Sequence, residues 1–234
     1  MFNLFPKRKS KKVSHPVKGR LIHSERDYFG LIQVIDTDTT RSLYFDSPVE
    51  QGRMYFEAPM TLAFEYQQLM LDMLDDFAQK NRVEKTLMLG LGGGLLTNHL
   101  HCYWPKAQHH VVELRAAVIE TAKTFFYMTQ EPTIHIHNTD AYAFIENAVD
   151  NNDSYSAILI DLYDGESMPD VFCEEDFLRL LHELKRPDTV LLFNLWSSSP
   201  QSTLNIIHFW EAQPDCKIRM EKTQSTGNVI VSVQ

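Results

Sequence analysis

The sequence predicts an α/β fold, a mostly parallel sheet of seven strands closed by an antiparallel hairpin, and three observations carry that prediction. Short apolar runs alternate with amphipathic segments of helical length from Thr86 to Leu195. A glycine-rich turn, Gly90-Leu91-Gly92-Gly93-Gly94, stands between the first of those runs and the segment that follows it. Two closely spaced apolar runs around Gly227 end the chain. Strands separated by helices pair in parallel and need cover on both faces, whereas strands joined by a short turn pair antiparallel. The pattern is that of a Rossmann-like domain.

Residues 1–18 form a basic segment, with Lys7, Arg8, Lys9, Lys11 and Lys12 in one polar stretch, and read as a disordered tail. Residues 19–58 read as a small β element. Gly19 to Glu25, Tyr28 to Ile35 and Arg41 to Asp46 supply β-branched and aromatic residues around a polar turn at Asp36 to Thr40. Two or three strands bury too little to stand alone, so this element must pack on the rest of the chain or on a second copy, as a homodimer contact. Residues 59–234 are the main unit. It opens at Pro59 with a helix on the three-and-four spacing of Leu62, Tyr66, Leu69, Met70, Met73, Leu74 and Phe77. Strands follow at Thr86 to Leu89, Gln108 to Glu113, Thr133 to Asn138, Ser156 to Asp161 and Thr189 to Leu195. Helices at Leu95 to Tyr103, Arg115 to Phe126, Ala141 to Val149 and Glu174 to Leu184 separate them. A helix at Pro200 to Ala212 leads to the hairpin of Lys217 to Glu221 and Asn228 to Val233.

Charge narrows the partners. With 31 acidic against 22 basic side chains and a net charge of -9, the surface repels phosphate backbones and attracts cations, so no nucleic acid is expected. No apolar run approaches the roughly 20 residues of a membrane helix. The basic start leads into Val13-Ser14-His15-Pro16-Val17 and not into the apolar run of a signal peptide, and a cytoplasmic protein without membrane attachment is the expectation. Cys102, Cys173 and Cys216 fall at no disulfide or metal spacing. His99 with His101, and His135 with His137, lack a carboxylate or thiol at matching spacing, so no metal is expected.

Candidate site residues cluster at predicted strand ends. Gly90, Gly92 and Gly94 let a ligand approach main-chain N–H groups at a helix N-terminus. A dinucleotide fingerprint would put its third glycine at 95, where Leu95 stands; the spacing present is typical of S-adenosyl nucleoside sites. Glu113 ends the second strand, where a carboxylate accepts bonds from ribose hydroxyls. Asp140, followed by Ala141, ends the third and is placed for an adenine amine, with helix capping as the plain alternative. Asp161 and Asp164 follow the fourth strand, able to flank a sulfonium and an incoming amine, or simply to start a turn. Asn194 and Trp196 are further wall candidates.

Together these residues resemble the spermidine synthase (polyamine aminopropyltransferase) family, from about Tyr28 to Leu195. The match includes Arg41 to Asp46 with Gln51 after it, the Gly90 loop, Glu113, Asp140-Ala141 and Asp161-Leu162-Tyr163-Asp164. The resemblance implies a methyltransferase-type sheet and a donor that is S-adenosylmethionine or its decarboxylated form. It also implies a nucleoside contact from Gln51, aminopropyl transfer to a small cationic amine acceptor, and a place in polyamine biosynthesis. Two family features differ: Gly93 replaces the loop carboxylate, and Tyr55-Phe56-Glu57 lacks the histidine of a Tyr-His-Glu cluster. Methyl transfer to a small molecule, or nucleoside binding without turnover, are the alternatives.

Overall fold

The computed structural model describes residues 18–165, 167–197 and 199–234, so the predicted tail lies outside it apart from Lys18. The first strands, β1 (Arg20–Asp27), β2 (Gly30–Asp36), β3 (Thr40–Phe45) and β4 (Glu50–Tyr55), form a four-stranded antiparallel sheet in chain order. β4 exceeds the expected two or three strands. Its Glu50-Gln51-Gly52-Arg53 stretch carries no apolar alternation, and it is extended because β3 supplies the ladder, with Thr40 opposite Tyr55 and Leu43 opposite Gly52.

The next helices are α1 (Glu65–Ala78), α2 (Leu95–Tyr103) and α3 (Ala116–Phe125). α1 starts later than Pro59 predicts, because a turn from Ala58 to Thr61 and an extended Phe64 keep the preceding residues out of the helix. The apolar face of the small sheet, Ile32, Val34, Leu43 and Met54 among it, packs against Val118 and Phe126 at α3. Arg115, at the start of α3, ties the two together. Its Nε and Nη2 each donate to the Asp27 carboxylate at 2.9 Å, and Nη2 also donates to the Gly30 carbonyl. The small sheet thus packs on its own chain.

The main sheet contains β5 (Lys85–Leu89), β6 (Gln108–Glu113), β7 (Ile134–Asn138), β8 (Ala157–Ile160), β9 (Val190–Trp196), β10 (Ile218–Lys222) and β11 (Asn228–Val233). Their order is β10-β11-β9-β8-β5-β6-β7, parallel from β9 to β7, with β11 antiparallel to both neighbours. Strand β8, Ala157-Ile158-Leu159-Ile160, is apolar and buried throughout, and its neighbours β5 and β9 are mostly so, because both faces are covered. α4 (Ala141–Asp150), α5 (Glu175–Leu184) and α6 (Pro200–Glu211) pack on one face, and α1 and α2 on the other. The chain runs outward from β5 to β7 and then returns to lay β8 on the far side of β5. That reversal opens a crevice beyond the carboxyl ends of β5 and β8. No helix among the described residues is long and apolar enough to cross a membrane.

Candidate active site

The two strand ends at the crevice are in direct contact. Asp161 N–H donates to the Leu89 carbonyl at 2.9 Å, and a β-carbon on Gly90 (φ +94°) would lie 2.2 Å from the Asp161 carbonyl oxygen. Only glycine fits there. Gly92 (φ +55°) faces the small sheet, where an added β-carbon would lie 2.8 Å from the Gln51 carbonyl oxygen. Close backbone approach is what the loop sequence predicts, and the chain's own β4 makes it here.

Between β4, the loop and α1 lies a cavity of about 20 Å³, lined among others by Gln51, Arg53, Tyr66, Gln67, Gly93 and Asp161. That volume holds about one water, whereas a small-molecule site takes roughly 300 Å³ or more.

Asp161 is the best-organised group in the cavity. Its Oδ1 accepts from Asn194 Nδ2 at 2.7 Å and its Oδ2 from the Tyr66 hydroxyl at 3.1 Å. Asn194 is held in turn, its Oδ1 accepting from Asn228 Nδ2 at 2.9 Å. Burial pushes the Asp161 carboxyl above its ordinary range, against the opposing pull of Asn194 and Tyr66. Burial, and then the charge of Asp161, push the Tyr66 hydroxyl well up, so it stays a donor.

Glu113 stands behind the loop. Its Oε2 accepts from Leu91 N–H at 3.2 Å and its Oε1 from Arg115 N–H at 2.9 Å, bracing the glycine turn against the end of β6. Burial raises its pKa while those N–H groups lower it. Asp140 is the N-cap of α4, its Oδ1 accepting from Ala143 N–H at 3.1 Å, and Ala141 is buried at the first helical position. Gln51 donates through Nε2 to the carbonyls of Val49 and Gly165.

The structure thus brings Gln51, Gly92, Gly94 and Asp161 into one cavity lining, with Gly90 and Glu113 directly behind it. Asp164 is exposed and outside that lining, so the two aspartates do not share the cavity. Trp196 also lies outside it, edge-on to Tyr163. Tyr66, Gln67 and Arg53 are the residues missed from sequence. The tyrosine that reaches the site is Tyr66, at the start of α1, and not Tyr55. The signal available was Tyr66-Gln67-Gln68 opening a helix just ahead of β5.

Sheet order, glycine turn and acidic strand ends define a methyltransferase-like α/β fold. The chain belongs to the spermine/spermidine synthase domain family, whose model matches residues 63–217. A polyamine aminopropyltransferase of Chromobacterium violaceum is 27% identical over 167 residues, covering 71% of this chain and 62% of that relative. An eEF1A lysine and N-terminal methyltransferase of Xenopus laevis is 28% identical over 132 residues, 52% of this chain but only 19% of its own length. Among solved structures, a probable spermidine synthase from Corynebacterium glutamicum superposes with a TM-score of 0.72 at 18% identity, over 92% of this chain and 79% of that one. Human methyltransferase-like protein 13 in complex with SAH gives 0.65 at 21% identity, over 74% and 82% of the two chains.

Proposed function

We propose that the chain is a transferase that binds a sulfonium nucleoside, S-adenosylmethionine or its decarboxylated form, and moves an alkyl group from it to an amine nitrogen held at Asp161. The carrying observation is the Asp161 carboxylate itself, raised in pKa and fixed by Tyr66 and Asn194 at the crevice where the glycine turn ends β5. A protonated amine has no lone pair and cannot attack. A carboxylate with elevated basicity takes that proton more readily than an ordinary aspartate. Attack on the carbon beside sulfur then breaks the C–S bond, and its electron pair returns the sulfonium to a neutral thioether.

Glu113 uses two of its roughly four acceptor positions on the N–H groups of Leu91 in the loop and Arg115 at α3, and the others can take ribose hydroxyls. Asp140 and Ala141 take the adenine edge, Gln51 the nucleoside from above, and Asp164 an outer contact with the cationic acceptor. Family membership favours aminopropyl transfer. Gly93 favours methyl transfer as a second reading, because the loop offers no carboxylate for an aminopropyl ammonium. Incubating the protein with each donor and a panel of polyamines, with mass-spectrometric detection, tests the reading. Methylthioadenosine from the decarboxylated donor identifies aminopropyl transfer, and S-adenosylhomocysteine from the intact one identifies methyl transfer. Bound nucleoside with neither product overturns the catalytic reading.

A further inference from the structure

The turn between β10 and β11 is tied to both sides of Asp161. Glu65, the first residue of α1, accepts through Oε1 from Gln224 N–H at 2.8 Å and through Oε2 from Ser225 N–H at 3.0 Å and Ser225 Oγ at 2.6 Å. The next residue is Tyr66, whose hydroxyl donates to Asp161 Oδ2. On the other side Asn228 opens β11, its N–H donating to Thr223 Oγ1 at 2.9 Å across the turn. Its Nδ2 donates to Asn194 Oδ1 at 2.9 Å, and Asn194 Nδ2 donates to Asp161 Oδ1 at 2.7 Å. Each oxygen of one carboxylate is thus held from an element, α1 or β9, that is bonded to the same turn. Residues 223–228 lie beyond the family-model match, which ends at residue 217, so that match assigns them no role.

An asparagine amide has N–H donors at one end and an acceptor oxygen at the other, and turning it over exchanges them with almost no change in shape. For Asn194 the two ends are not equivalent. With Nδ2 toward Asp161 a donor meets the carboxylate, whereas with Oδ1 there two acceptors would meet, and Asn194 is only 2% exposed. The Asn228 donor at Oδ1 selects the first arrangement. We infer that Asn228 is a positioning residue for the transfer reaction, fixing through Asn194 the amide end that faces Asp161, with Glu65 anchoring the turn that carries it. The inference rests on the reading of Asp161 as the base. The other groups around Asp161, Tyr66 on α1, Tyr163 after β8 and Arg53 on β4 in the same cavity lining, are unaltered in the variants that test it.

In the full chain carrying isotope-labelled aspartate, the Asp161 carboxyl carbon, assigned by its loss in Asp161→Asn, reports its own titration by NMR and needs no substrate. Asn228→Leu keeps the side-chain bulk and removes the donor. The Asp161 midpoint should rise by roughly one pH unit, the size of a lost hydrogen bond to a charged group. The acid limb of kcat/KM should follow it in whichever transfer the wild type performs. In an Asn194→Ala background the same substitution should leave the midpoint where Asn194→Ala alone puts it, because the route is gone. Asn228→Ser, a smaller change with a shorter side chain, carries the same expectation should the leucine variant fail to fold. An unmoved midpoint in a folded variant overturns the inference, as does an equal rise in the Asn194→Ala background. A midpoint that rises while the acid limb stays put would instead overturn the reading of Asp161 as the base, with the link from Asn228 to Asp161 upheld. A wild type that performs no transfer overturns the transferase reading, and the NMR titration still decides the link.

Discussion

The Tyr66 hydroxyl donates to Asp161 Oδ2 across 3.1 Å, joining the first turn of α1 to the end of β8. This contact moderates the acidity of Asp161, the carboxylate that lines the cavity among the described residues. Burial alone raises it, and the hydrogen bonds from Asn194 and Tyr66 moderate the rise. Tyr66→Phe removes one of the two moderating donors, so the Asp161 pKa should climb further. The acid limb of a kcat/KM profile should move to higher pH, with turnover on its alkaline side changed far less. An unmoved limb in an active variant would show that Asp161 is not the titrating base.

Asp161→Asn should keep nucleoside affinity yet lose on the order of a hundredfold or more in turnover. Stability should move the other way. A carboxyl whose pKa is raised by folding stabilises the fold fully below its unfolded value, and that stabilisation is lost as pH rises through the folded value. At pH 7 the wild type bears this loss and the asparagine variant does not. Melting curves should therefore place the variant level with or above wild type at neutral pH, with the advantage gone at about pH 4 and below.

For Glu113→Ala, two consequences should appear together. The N–H groups of Leu91 and Arg115 lose their acceptor, and nucleoside binding should weaken by roughly 2 to 3 kcal/mol. Glu113→Gln keeps one acceptor oxygen and should retain more of the stability. Calorimetry paired with urea unfolding separates these effects. A folded alanine variant with wild-type affinity would confine Glu113 to bracing the loop.

A β-carbon on Gly93 would meet Cδ1 of Phe126 at 3.3 Å, and that ring is 3% exposed. The phenylalanine thus packs where a loop side chain would start. Gly93→Asp should destabilise by about 1 to 3 kcal/mol through overpacking. The pair Gly93→Asp with Phe126→Ala should cost less than the sum of the two single changes, as expected for contacting residues. Strictly additive values from denaturant unfolding would show that the ring does not guard this position.

On β6 and β7, His110 Nδ1 and His137 Nε2 share a 2.9 Å hydrogen bond. Burial lowers His110 from 6.5 to about 4 and lowers His137 as well. For a histidine depressed by folding, stability is fully present above the unfolded pKa and is lost as pH falls below it, because the unfolded chain takes up the proton first. Unfolding free energy should decline between about pH 6.5 and 4. His110→Asn should flatten that decline, and an identical slope in the variant would assign it to other groups.

Much of the fold was legible because its signals are local. The apolar runs of β5, β6 and β8, the β11 hairpin and the turn at Gly90 are each written in contiguous residues. Glu113 and Asp161 were likewise legible as strand-end carboxylates. β4 was not, since a strand made of Glu50-Gln51-Gly52-Arg53 exists only through its pairing with β3.

By itself, then, the sequence determined the layered α/β sheet, the crevice edge and the acidic strand ends, because backbone periodicity and glycine turns act over a few neighbouring residues. Tertiary structure alone decided which side chains meet at that edge. It drew Tyr66, Gln67 and Arg53 to Asp161, left Asp164 exposed outside the cavity, and set Phe126 over Gly93. The reason is physical: a strand's period assigns a residue to a face, but which distant side chain fills the space opposite is set by packing between elements far apart in the chain.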